Sequence, residues 1–287
     1  MDTPLDGVLR YAAFTATPDG GNPAGIVLDA SRLDDAAMQG IATEVGYAET
    51  AFVIERIIGG DARRSRLRYF SPLAEVPFCG HATIATAVAL AEREGEGAFH
   101  FDTPVGPIRI ETTVEEGVMT ASFTSVEPRA AELDDAVLGS LLRLLGVDRT
   151  ALHPGYPPLL SYAGNWHPVV VFAEREAFDG FRFDPVALRA LMDAEGWAGT
   201  VTTLRAIGPH EFEARNLFPV GAITEDPATG SAAASVGGYL RRLGLPPSTV
   251  VIHQGTHVGR PSVLTVTIPA EGGIVVSGSA VRLDPSS

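Results

Sequence analysis

The chain has 287 residues, room for one large domain or two ordinary ones, and 45% of them are hydrophobic, ample for a sizeable core. Its 21 basic residues stand against 35 acidic ones, a net charge of −14, which argues against nucleic acid or an anionic membrane as the main partner. Every basic residue is arginine, so a lysine Schiff base and a phosphate-loop lysine are both excluded.

Cys79 is the single cysteine, so no intrachain disulfide and no cysteine cluster for zinc can form. The first six residues show no charged n-region or apolar h-region, and no apolar run is long enough to span a bilayer. A cytoplasmic protein with no membrane partner is the expectation. A small anionic substrate is compatible with the overall charge, because loop N–H groups and arginines can make a locally positive pocket.

In chain order, residues 8–14 and 25–28 read as strands around the turn Gly20-Gly21-Asn22-Pro23. Asp34 caps a helix with apolar positions Met38, Ile41, Ala42 and Val45, stopped by Gly46. Strands at 50–54 and 64–70 follow. The loop Glu75-Val76-Pro77-Phe78-Cys79-Gly80-His81-Ala82 then opens a helix over 81–92, apolar around most of its circumference and so expected to be buried. Strands are predicted at 98–101, 108–112 and 118–123, and a crossing between lobes at 125–131. Asp134 starts a helix closed by Gly146, and Asp184-Pro185 starts another that ends at Gly196. Between and after them, strands are predicted at 159–163, 169–172, 201–207 and 212–217.

A second loop of the same form, Glu225-Asp226-Pro227-Ala228-Thr229-Gly230-Ser231-Ala232, leads into a small-residue helix over 228–242. Strands at 250–252, 263–268 and 274–281 close the chain. Both loops read Glu-x-Pro-x-x-Gly-(His or Ser)-Ala. In each, proline removes a backbone donor, glycine tolerates close approach, and the helix start offers free N–H groups to a carboxylate or phosphate. Gly21-Asn22-Pro23-Ala24 is answered by Gly164-Asn165-Trp166-His167, and the later landmarks recur in the same order. An internal duplication explains this. The expected architecture is α+β, with two pseudo-symmetric lobes, each a mostly antiparallel sheet wrapped around a central apolar helix. The lobes are placed at 1–127, with 274–287 as a candidate completion, and 128–273, with an active-site cleft between them.

These motifs, with Ala48-Glu49-Thr50-Ala51-Phe52 and Gln254-Gly255-x-x-x-Gly259-Arg260-Pro261-Ser262, together resemble the phenazine-biosynthesis PhzF-like family. The resemblance spans nearly the whole chain. It implies a diaminopimelate-epimerase-like fold, isomerase chemistry without a cofactor, and a homodimer. It also implies that Glu49 carries the proton, supported by His81, Asp226 and Ser231. Substrate contacts are placed at Asn22, Gly80, Ala82, Thr229 and Gly230. No metal site is expected.

Each residue also has a plainer reading. Glu49 can be a solvated strand end, His81 a capping or packing residue, Asp226 a turn residue and Ser231 an ordinary first-turn residue. A partly buried Glu49 suits both taking and returning a proton. The helix start would favour a neutral His81. Cys79 has no partner thiol, which excludes a two-thiol racemase and leaves it as a small buried residue. His253 and His257 lie four apart, but Gly255 and strand-like flanks argue against a shared metal. The loop at 254–262 can support the cleft or touch substrate. Ala233 stands where many relatives carry histidine, so phenazine synthesis itself is not claimed. The alternative is a non-catalytic small-molecule-binding protein that keeps the fold.

Overall fold

The computed structural model describes residues 7–220 and 223–284, so the N-terminal reading of residues 1–6 lies outside the described residues. The chain divides into two compact units, Met1–Phe123 with Ser277–Ser287, and Thr124–Val276. The strand Val275–Arg282 crosses the second division.

In the first unit, strand Val8–Ala13 pairs antiparallel with Asn22–Val27, which runs parallel to Glu49–Ile58. A parallel pair needs a crossover, and helix Asp35–Val45 supplies it. Its Asp34 side chain accepts from the Ala37 N–H, Gly46 closes it at φ 72°, and Met38, Ile41, Ala42 and Val45 are its buried face. Strand Glu49–Ile58 continues antiparallel to Asp61–Phe70, which pairs with the short strand Glu75–Val76 and, in parallel, with Gly97–Thr103. Strands Gly106–Glu115 and Val118–Thr124 complete the meander.

The helix Gly80–Glu94 is buried without interruption from His81 to Ala91. No polar face is left to solvent, so its hydroxyls are satisfied internally. Thr83 Oγ1 donates to the Cys79 carbonyl at 2.7 Å, and Thr86 Oγ1 donates to the Ala82 carbonyl at 2.7 Å.

The second unit repeats the plan. Strand Trp166–Phe172 runs parallel to Val201–Gly208, which pairs antiparallel with Glu211–Val220. That strand takes Ile223–Asp226 antiparallel and Ser248–Gln254 in parallel, and Ser262–Ile268 pairs with the latter. The crossover here is larger: helices Arg175–Gly180 and Pro185–Glu195 pack with Asp135–Leu144 over Phe172, Phe178 and Trp197.

The helix Gly230–Arg242 is the second core helix, buried through smallness rather than apolarity. A methyl on Gly237 would come within 2.6 Å of Ile274, and one on Gly238 within 2.6 Å of Pro128. Only glycine lets the helix approach its sheet that closely.

Three short strands depart from the sequence expectation. Arg129–Glu132, inside the predicted crossing, pairs with Leu159–Tyr162. Glu75–Val76 and Ile223–Asp226 turn the beginning of each motif loop into strand. Segments of two to four residues carry too little alternation to be read from pattern.

Candidate active site

The two Glu-x-Pro-x-x-Gly loops are held the same way. Phe70 lies opposite Glu75 in one unit, and Leu217 lies opposite Glu225 in the other. Two positions back from each, an arginine grips the motif glutamate with both nitrogens. Arg68 Nε and Nη2 reach Glu75 at 2.7 Å each, and Arg215 Nε and Nη2 reach Glu225 at 3.1 and 2.5 Å. Arg215 also donates to the Phe178 carbonyl at 2.9 Å and lies 3.7 Å over the Phe181 ring. The leading glutamate of each motif is therefore an anchor between strand and loop.

Past the anchor, each loop ends at a helix whose N-cap side chain makes no capping bond to the helix: Cys79 for Gly80–Glu94, and Thr229 for Gly230–Arg242. The short helix Arg175–Gly180 also lacks a side-chain cap at Glu174, but the other three helices differ. Helices Asp35–Val45, Asp135–Leu144 and Pro185–Glu195 all have an aspartate cap accepting a backbone N–H. The first backbone bond of each core helix starts at Thr83 and Ala233, so the N–H groups of Gly80, His81 and Ala82, and of Gly230, Ser231 and Ala232, precede the helical ladder.

In the first unit, Glu49 opens its strand opposite Ala24, with its side chain 20% exposed. Its Oε2 accepts from the Cys79 thiol at 3.5 Å and lies 3.5 Å from His81 Nε2. Cys79 Sγ is also 3.3 Å from His81 Nδ1. The ligand atoms of Glu49, Cys79 and His81 all lie within 4.8 Å of one another. Burial holds the His81 imidazole down at about 4, opposed by its hydrogen bond to the Pro23 carbonyl, so the ring is neutral near pH 7. The sequence attributed that neutrality to the helix start; the structure supplies burial as the leading cause. Asn22 and Ala82 are buried, so Ala82 can offer a ligand its N–H and no side-chain contact. A methyl on Gly80 would meet only Phe78, at 3.9 Å, so internal packing does not demand glycine there.

In the second unit, Thr229 Oγ1 donates to Asp226 Oδ2 at 2.5 Å. Gln254 Nε2 donates to the Asp226 carbonyl at 2.6 Å and approaches Thr229 Oγ1 at 3.0 Å, while its Oε1 accepts the Thr229 N–H at 3.3 Å. A methyl on Gly255, at φ 82°, would come within 2.2 Å of the Arg260 carbonyl oxygen and 2.6 Å of that of Pro227. The 254–262 segment is thus a buttress under the second loop. Ser231 is half-buried in the first turn.

His253 and His257 each have their own carboxylate, Glu211 at 2.7 Å and Asp179 at 3.0 Å.

The sequence profile of the phenazine biosynthesis-like protein family matches residues 11–284. The chain belongs to this PhzF family. An uncharacterized isomerase of Mesorhizobium japonicum is 33% identical over 96% of each chain. The trans-2,3-dihydro-3-hydroxyanthranilate isomerase of Pseudomonas fluorescens is 32% identical, over 88% of this chain and 86% of that protein. Among solved structures, a PhzF-family phenazine biosynthesis protein of Bacillus anthracis matches with a TM-score of 0.81 and 26% identity over 96% of both chains. The PhzF fold of two pseudo-symmetric lobes, each a sheet around a core helix, is therefore the fold of this chain.

Matching the two anchors within this PhzF chain gives a residue-by-residue view of the duplication. Thr50 and Val201 lie opposite Phe70 and Leu217, so Glu49 is answered by Thr200. Cys79 is answered by Thr229, and His81 by Ser231. Thr200 is buried and donates to Asn216 Oδ1 at 2.7 Å. The carboxylate beside a helix start thus comes from the first residue of a long strand in one unit and from Asp226, the last residue of the short strand before the helix, in the other. Sequence reasoning missed both the Arg–Glu anchors and the contact of Cys79 with Glu49. The anchors carried a signal, since an arginine precedes both motif glutamates, by seven residues in one copy and ten in the other.

Proposed function

We propose that the chain is an isomerase that moves a proton on a small carboxylate-bearing molecule, without a cofactor. The observation that carries this reading is the Glu49 carboxylate beside an uncapped helix start. A base sits next to N–H groups able to hold the substrate carboxylate and the charge that builds up as the neighbouring carbon loses its proton. Glu49 takes the proton from that carbon and, now protonated, returns it at another position. Neutral His81 donates or accepts a hydrogen bond without competing as an acid. Gly80 and Ala82 contribute N–H groups, with Asn22 shaping the pocket, and Thr229 and Gly230 do the same in the second unit. Asp226 receives hydroxyl or amino groups of the substrate, and Ser231 donates to it.

The name of the Pseudomonas fluorescens relative supplies the first molecule to try, trans-2,3-dihydro-3-hydroxyanthranilate. The same reading has the chain act in the cytoplasm as a homodimer, which light scattering of the purified protein tests. The experiment for the chemistry is incubation in deuterium oxide with that compound and a panel of amino-acid-like carboxylates. Enzyme-dependent deuterium at carbon supports the proposal. Tight binding of a panel member that is never exchanged would make the chain a binding protein instead.

A further inference from the structure

We propose that Glu49, Cys79 and His81 form a binding site for a thiophilic divalent cation such as Zn2+, with one carboxylate, one thiolate and one neutral imidazole as ligands. This goes beyond the isomerase reading, because cation binding is measurable without a substrate.

Three observations carry it. The first is spacing. Tetrahedral zinc, with bonds of ~2.3 Å to sulfur and ~2.0–2.2 Å to nitrogen and oxygen, sets its donor atoms about 3.3–3.7 Å apart. Here Cys79 Sγ to Glu49 Oε2 is 3.5 Å, His81 Nε2 to Glu49 Oε2 is 3.5 Å, and Cys79 Sγ to His81 Nε2 is 3.7 Å. The donors already stand near the corners such an ion requires. The second is charge. A thiolate and a carboxylate together neutralise a divalent cation, and an imidazole adds a third donor of the kind zinc takes. The third is support. The Pro23 carbonyl holds the imidazole, which is the kind of outer partner that orients a ligating histidine, and Cys79 and His81 are both buried.

Binding replaces the thiol hydrogen bond to Glu49. The Cys79 S–H proton leaves to solvent, and sulfur, nitrogen and oxygen each bond to the metal. Three protein ligands leave a fourth position for water. Spacing along the chain hid this site, because its donors come from a strand end, an N-cap residue and a first helical turn. If Glu49 is the base, a bound cation also blocks turnover, and a chelator restores it. That consequence rests on the isomerase reading and is assayed separately.

The test is titration of the reduced full-length protein with Co2+, followed by displacement with Zn2+. Cys79 is the only cysteine, so a thiolate-to-cobalt charge-transfer band identifies it as a ligand. One equivalent is expected to saturate the band. Glu49→Gln and His81→Gln should each weaken binding by more than about tenfold, the size lost even when an outer partner of a ligand is removed. A His253→Gln/His257→Gln variant should bind as the parent does. Circular dichroism establishes that each variant is folded, and Glu49→Gln, at a half-buried strand end, is the one least able to disturb the core. No thiolate band in the folded parent, full affinity in Glu49→Gln, or binding lost only in the His253/His257 variant would each overturn the proposal.

Discussion

At the scale of single residues, the glycines separate what the fold needs from what a ligand needs. Gly255 has φ 82° and two carbonyl oxygens within 2.6 Å of where a methyl would stand. Gly255→Ala should therefore cost at least ~2 kcal/mol, measured as a shift in the urea midpoint. Gly80 faces open space apart from the edge of Phe78, so Gly80→Ala should change stability by less than ~0.5 kcal/mol. If its N–H groups receive a substrate carboxylate, the same change should raise KM with stability intact. An unchanged KM would remove Gly80 from the proposed binding site.

At the scale of elements, the two Arg–Glu anchors share a geometry and differ in burial. The Arg215 and Glu225 side chains are 5% and 10% exposed, against 22% and 37% for Arg68 and Glu75. Removing one partner of a buried pair leaves an uncompensated charge, so Glu225→Gln should cost ~3–5 kcal/mol. Glu75→Gln breaks a pair that water already screens and should cost under ~1 kcal/mol. Chemical denaturation of both variants checks the ranking, and equal costs would contradict it.

Elements whose ends are written in local chemistry were the ones legible beforehand. Asp34 with Gly46, and Asp184-Pro185 with Gly196, bracket their helices as the caps predict. The buried character of Gly80–Glu94 was legible too, because eleven successive residues leave no polar stripe. The short strands were not, and neither was the company Cys79 keeps. Its contact with Glu49 joins residues 30 apart through the antiparallel return of Asp61–Phe70 on Glu49–Ile58 and the start of a helix, which no local pattern encodes.

At the scale of the whole molecule, duplication supplied a common frame, and the two copies then diverged at single positions such as Glu49 and Thr200. Both units also bury a histidine. His81 and His167 are each pushed down to about 4, in both cases mainly by burial. The unfolded chain binds those protons more readily, with a value near ~6.5, so both groups support folding fully above that pH. Their contribution falls away as pH drops toward 4, by about 3 kcal/mol for each histidine. His167 hydrogen-bonds the Thr200 carbonyl through Nδ1, a contact that an asparagine amide can imitate. His167→Asn should therefore flatten the loss of stability between pH 6.5 and 4, read from urea midpoints across that range. An unchanged slope would show that His167 does not enter the acid response.

The central claim is that Glu49 carries the proton, and solvent isotope exchange tests it most directly. With the substrate identified from the carboxylate panel, the parent protein in deuterium oxide should place deuterium at carbon. Glu49→Gln, folded by circular dichroism, should lose that exchange, while Glu49→Asp should keep a reduced part of it. Full exchange by Glu49→Gln would contradict the account.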